Sequence, residues 1–141
     1  AAPLRALALA AAAAGAGAAS CAGDLPIEGI ERSYLMGDHG SVAQSRLTMH
    51  HNSGFSITKS CQESSSWDPF SFTPFQLLGK TLSFTVNLSR VGCGCNLALY
   101  LVQGPARDGA GRPSRGSCAW SPYYCDANKV CDQFCPEVDI M

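Results

Sequence analysis

Two acidic residues near the C-terminal end of the chain stand in a pattern that could do chemistry: Glu137-Val138-Asp139-Ile140-Met141. In an extended strand residues i and i+2 share a face, so Glu137 and Asp139 are expected to project together, about 7 Å apart along the strand. Val138 and Ile140 are then expected to turn into a hydrophobic layer. Two carboxylates this close do not both ionise without cost; a shared proton or a compensating charge must help. Such pairs mark acid–base sites, although solvated surface strands also carry Glu-x-Asp.

The second group with chemistry of its own is the set of eight cysteines, Cys21, Cys61, Cys93, Cys95, Cys118, Cys125, Cys131 and Cys135. An even count behind a leader-like segment argues for disulfides formed in an oxidising compartment, and hence for a secreted, extracellular protein. Connectivity stays open, since eight cysteines allow about 105 pairings. A zinc site is the rival reading, but Cys93-x-Cys95 and Cys125-x5-Cys131-x3-Cys135 lack the paired spacing of structural zinc sites. His39, His50 and His51 lie far upstream of them. No metal and no cofactor is therefore expected. Asn87-Leu88-Ser89 is an N-glycosylation sequon on the polar side of an expected strand, in agreement with secretion.

These groups need elements to hold them. Residues 1–20 read as a secretory signal peptide whose start is missing: one arginine, Arg5, precedes an alanine-rich apolar run that ends in small residues before Cys21. Residues 21–141 read as the N-terminal part of one domain, with the last strand cut in mid-run. From Gly23 to Gly40 turn residues dominate, and irregular structure is expected. Ser45–His51 and Phe55–Lys59 read as a hairpin around a turn at His51-Asn52-Ser53-Gly54. The clearest strand is Thr81–Ser89, where Leu82, Phe84, Val86 and Leu88 alternate with polar residues. The apolar run from Asn96 to Val102 suits a strand covered on both faces, and Gln103 to Ser117 forms a loop with three solvated arginines, Arg107, Arg112 and Arg115. Short strands, Gly/Pro punctuation and the lack of a helical period outside the leader give an all-β class, a sandwich or jelly roll.

Composition narrows the function classes. The chain has 141 residues, 46% of them hydrophobic and 15% charged, with a formal net charge of -1. That suffices for one buried core and leaves no basic footprint for nucleic acid. No apolar run in the body of the chain is long enough for a membrane span, so no membrane association is expected after signal removal.

Four segments resemble glycoside hydrolase family 7, the secreted cellobiohydrolases and endoglucanases. Gln76-Leu77-Leu78-Gly79-Lys80-Thr81-Leu82-Ser83-Phe84-Thr85-Val86-Asn87-Leu88-Ser89 is similar to the family strand L-L-G-x-x-F-S-F-x-V-D-V-S. Cys93-Gly94-Cys95-Asn96-Leu97-Ala98-Leu99-Tyr100 is similar to C-G-L-N-G-A-L-Y, and Tyr124-Cys125-Asp126-Ala127 to Y-C-D-A/S. Glu137 to Met141 is similar to the start of E-M-D-I-W-E-A-N. The four occur in the family's order over nearly half the chain.

The resemblance implies a concanavalin A-like β-jelly-roll sandwich, incomplete in this chain. It implies that Glu137 is the nucleophile of a retaining glycosidase, that Asp139 hydrogen-bonds to it and tunes its ionisation, and that Asn96 and Tyr100 line the cleft. The general acid/base would be the residue following Met141. The implied substrate is a β-1,4-glucan polysaccharide, cleaved by a monomer. In such a protein Trp67, Phe70, Phe72 and Phe75 could stack on pyranose rings, but packing at the core edge is the expected role. Leu97 replaces a family glycine, Cys95 a leucine and Met141 a tryptophan, and the stretch between Ala127 and Glu137 is short, which leaves exo- against endo-action open. A family 16-type β-1,3-glucanase and a non-catalytic carbohydrate-binding jelly roll are the alternatives. Without its acid/base partner the 141-residue chain alone is expected to be inactive, because general acid–base help contributes roughly 10²–10⁴-fold in rate.

Overall fold

The computed structural model of the chain describes residues 20–62, 71–117 and 123–141, together with the backbone of 7–9. Six strands follow in order: β1 (Leu7–Leu9), β2 (Ser20–Asp24), β3 (Tyr34–Ala43), β4 (Arg46–Thr58), β5 (Tyr100–Val102) and β6 (Glu137–Asp139). They form one sheet in the order β2-β3-β4-β1-β5-β6, and every neighbouring pair is antiparallel. No helix occurs among the described residues. The all-β class read from the sequence is thus what the chain adopts, as an incomplete jelly roll. No helix among the described residues is long and apolar enough to cross a membrane.

The long ribbon of β3 and β4 organises the sheet. Ala43 pairs with Arg46, so the chain reverses at Gln44-Ser45, with Gln44 in the left-handed region at φ 54°. The pairing then runs outward through Gly40 and Met49, is interrupted, and resumes at Asp38 and Gly54. At the interruption His39 of β3 lies opposite His50, His51, Asn52 and Ser53 of β4. His39 and Asn52 both take positive φ, 52° and 57°. The Ser53 hydroxyl is buried and donates to the His50 carbonyl at 2.7 Å, so the bulge satisfies its own polar groups.

This bulge has a packing consequence. Leu35 pairs with Ile57 and Gly37 with Phe55, whereas beyond the bulge Val42 pairs with Leu47. Leu35 and Val42 differ in parity along β3, so a regular strand would send them to opposite faces. The irregularity, where His39 turns to positive φ opposite four residues of β4, restores the phase. Leu35, Phe55 and Ile57 therefore share one core cluster with Phe75, Leu99 and Leu101, and Val42, Leu47 and Met49 pack against it. The expected turn at 51–54 is corrected accordingly: Asn52 and Gly54 supply bulge geometry inside one strand, and the reversal sits at 44–45.

β5 carries apolar side chains on both faces. Leu99 and Leu101 join the cluster around Phe55, while Tyr100 and Val102 pack with Ala106, Cys125 and Cys135 on the other side. That is the two-sided burial its sequence called for, although the strand proper covers only Tyr100–Val102. Phe75 is buried in the core and Phe72 packs against it, as expected for the core edge; Trp67 and Phe70 lie outside the described residues. Cys21 of β2 is bonded to Cys61, just past β4.

Three further expectations are corrected. Residues 23–40, read as irregular, contain the end of β2 and the start of β3. Thr81–Ser89 forms no strand, and Phe84, Val86 and Leu88 are 47%, 37% and 48% exposed. Alternation aligns apolar side chains on one face, but a strand also needs a neighbour for its N–H and C=O groups, and none of the six strands lies beside this stretch. Here the Asn87 side chain accepts the Ser89 N–H at 3.0 Å instead. Val138 lies on the face of its partner Leu101 yet stays 47% exposed, because β6 is the sheet edge. β1 lies near the N-terminal end of the chain and pairs with both β4 and β5.

The Phe55 ring lies over two glycines: a Cβ on Gly37 would come within 2.1 Å of the Gly54 carbonyl and 2.5 Å of the ring, and one on Gly40 within 2.6 Å of the ring. Gly37→Ala is therefore expected to lower stability by about 1–3 kcal/mol, read as a fall in the urea midpoint. Gly92→Ala, where an added Cβ meets nothing within 4 Å, is the control expected to leave the midpoint unmoved. Equal midpoints for both variants would refute this account of the ribbon.

Candidate active site

The acidic pair is placed by β6 and by a disulfide-closed hairpin before it. β6 pairs with β5 so that Val102 faces Glu137 and Tyr100 faces Asp139. Directly opposed residues share a sheet face, so Glu137 and Asp139 stand on the side of Tyr100 and Val102. Outside the strand proper, Gln103 N donates to the Pro136 carbonyl at 2.9 Å and Ile140 N to the Leu99 carbonyl at 2.9 Å, which locks the register at both ends.

The hairpin spans Cys125 to Cys135, which are joined by a disulfide with a Cα–Cα distance of 5.6 Å. Val130 and Gln133 exchange two backbone hydrogen bonds of 3.0 and 2.9 Å around Cys131 and Asp132. Both central residues have positive φ, 54° and 63°, as a type I′ turn requires. Neither residue is the usual Asn-Gly, and for that reason the turn was not visible in the sequence. The buried Gln133 side chain donates to the Tyr124 carbonyl at 3.2 Å, and Cys135 N donates to the Asp126 carbonyl at 3.0 Å.

Within this frame a polar chain leads to Glu137. The Tyr124 hydroxyl donates to Asp126 Oδ2 at 2.7 Å and lies 2.9 Å from the Tyr100 hydroxyl. Asp126 Oδ1 accepts the Asn128 backbone N–H at 2.7 Å, a tight Asx turn. Between them, the Ala127 N–H donates to Glu137 Oε2 at 2.9 Å. Asp139 hydrogen-bonds the Glu137 carboxyl from its own strand.

The electrostatics follow from this packing. Partial burial raises the Glu137 pKa above the ordinary glutamate value, the Ala127 N–H pulls it back, and the hydrogen bond that its protonated form gives to Asp139, with the charges of Asp126 and Asp139, raises it further. Burial also pushes the Tyr100 and Tyr124 hydroxyls well above the ordinary tyrosine value, so both remain protonated. Among the described residues no ion pair reaches Asp126, Glu137 or Asp139. The arrangement is a carboxyl group flanked by two other acids and steadied by a backbone amide. Once ionised it can attack an electron-poor carbon.

Glu137, Asp139 and Tyr100, singled out by sequence, come together here. Tyr100 is 3% exposed, and its hydroxyl is engaged with Tyr124. Asn96 is exposed and lies before β5, beyond the part of the strand that faces β6, and it takes no part in the chain from Tyr100 to Glu137. Sequence reasoning gave no role to Tyr124 and Asp126, although both sit in a segment it had marked. Asn87 is exposed. Of the cysteines, Cys21 with Cys61 and Cys125 with Cys135 are paired, and Cys131 is also disulfide-bonded. Cys93 and Cys95 are free and exposed, and Cys118 lies outside the described residues. Among the described residues no cluster of three or more His, Cys, Asp and Glu side chains is placed to hold a metal ion.

Comparison with known proteins bears on this geometry. Residues 10–137 match the sequence profile of glycosyl hydrolase family 7. The chain is similar to endo-beta-1,4-glucanase celB of Emericella nidulans, with 28% identity over 113 residues that make up 77% of this chain. Those residues cover 26% of the relative, so the chain spans about a quarter of its length. No solved structure matches the chain. With the profile covering most of its residues, the chain belongs to glycosyl hydrolase family 7.

Proposed function

We propose that this chain carries the nucleophile of a secreted, retaining glycosidase that hydrolyses the β-1,4-glucosidic bonds of cellulose, as a cellobiohydrolase or endoglucanase. The observation that carries the reading is the Glu137 carboxyl, held by the Ala127 N–H and hydrogen-bonded to Asp139 on the exposed edge of the sheet. Family membership and the name of the similar fungal endoglucanase support it.

In this reading Glu137 attacks the anomeric carbon as a carboxylate. The bond from that carbon to the leaving glucosyl oxygen breaks, and the oxygen takes a proton from a second carboxyl group about 5–5.5 Å away. Water, deprotonated by the same second group, then attacks the glycosyl ester and frees Glu137. Asp139, beside it on the same strand, tunes the ionisation of Glu137 through the hydrogen bond between the two carboxyl groups. By resemblance the acid/base follows Met141. Residues 1–20 are proposed to be a cleaved leader and residues 21–141 part of the catalytic domain. Exposed Asn87, with its side chain already turned back on Ser89, suits a glycan. The disulfides support an oxidising compartment.

The test uses a polypeptide that carries this chain through the acid/base residue and a 2-deoxy-2-fluoro-cellobioside with a good leaving group. The expected result is a stable glycosyl ester on the peptide that contains Glu137, seen by mass spectrometry. Glu137→Gln is expected to abolish labelling and to lower kcat by roughly 10³-fold or more. Labelling of another residue, or release of the inverted anomer, would overturn the assignment.

A further inference from the structure

The polar chain beside Glu137 has a direction that its proton count fixes. Tyr124 has one hydroxyl proton, and it is donated to Asp126 Oδ2. With that proton spent, the contact between the two tyrosines is filled by the Tyr100 proton. The order is then Tyr100 to Tyr124 to Asp126. Both hydroxyls are committed along this line, and burial keeps both protonated.

Asp126 is the point at which the chain meets the backbone. One of its oxygens is held by Tyr124 and the other by the Asn128 N–H, and the intervening residue is Ala127, whose N–H reaches Glu137. The Asp126 carbonyl is held by Cys135 N, two residues before Glu137. Both ends of the turn are therefore pinned, and the amide direction follows from the carboxylate position.

We propose that Tyr124 is a positioning residue for Glu137: its hydroxyl, supplied by Tyr100 and given to Asp126, fixes the turn that aims the Ala127 N–H at the Glu137 carboxyl. The inference rests on the reading of Glu137 as nucleophile for its catalytic meaning, but the coupling itself does not need activity to be observed. Asp126 from the turn, Asp139 from the same strand and Tyr100 from β5 are the titratable groups around Glu137. In Tyr124→Phe their positions in sequence are untouched, and only the hydroxyl is lost.

The test is a carbon-13 carboxyl NMR titration of Glu137 in the 141-residue chain, with hydrogen exchange of the Ala127 amide read alongside. Tyr124→Phe is expected to raise the Glu137 midpoint by roughly one pH unit, because an N–H bond to the charged form is lost, and to speed Ala127 exchange. Tyr100→Phe leaves the donation to Asp126 in place and is expected to move both readings the same way by less. If Tyr124→Phe does not fold, Tyr100→Phe decides. An unmoved midpoint and unmoved exchange in the folded variant overturn the proposal, since a tyrosine that only packs would give that result. In the longer, active polypeptide, Tyr124→Phe is expected to shift the acid limb of kcat upward and lower kcat roughly 10- to 100-fold, with KM within about twofold. Coupling seen by NMR in a protein without glycosidase activity supports the positioning chain and refutes the nucleophile reading instead.

Discussion

A single backbone amide, the Ala127 N–H, meets a carboxyl group that its surroundings otherwise discourage from ionising. Three acids, Asp126, Glu137 and Asp139, gather beside buried apolar side chains, and burial and mutual repulsion both favour the protonated state of Glu137. The amide is the counterweight. Because the folded midpoint of Glu137 lies above its unfolded value, the native state binds more protons between those two points. Stability contributed by this group is therefore present at low pH and is lost as pH rises through the raised midpoint.

The rest of the fold can be understood as the frame for that amide. The disulfide between Cys125 and Cys135 and the left-handed turn at Cys131-Asp132 fix the hairpin that presents it. β5 joins this hairpin to the core: Tyr100 and Val102 face the site, while Leu99 and Leu101 face Phe55 and Leu35. On the far side, the bulge at His39 keeps the apolar residues of the β3–β4 ribbon in phase, so that the layer beneath β5 is continuous. Loss of packing there would be felt at Tyr100 through the same short strand.

Much of the site was legible in sequence, and for clear reasons. Glu137 and Asp139 announce themselves by a period of two, and β6 keeps them on one face. The two-sided burial of β5 follows from its unbroken apolar run. Alternation in Thr81–Ser89 misled because it records a face and says nothing about a hydrogen-bonding neighbour. The Asn52-Ser53-Gly54 segment misled because the residues that suit a turn also suit a bulge, and only the cross-strand register separates the two. Tyr124 and Asp126 received no role because their importance arises from a hairpin whose turn has no sequence signature.

The most direct measurement is the pH dependence of the Ala127 amide proton shift in the wild-type chain. A hydrogen bond to a carboxylate carries the titration of that carboxylate into the shift of its donor. The account predicts a clear downfield step on ionisation, with a midpoint above the ordinary glutamate value and shared with the Glu137 carboxyl. A flat curve, or a step at the ordinary value, would contradict it.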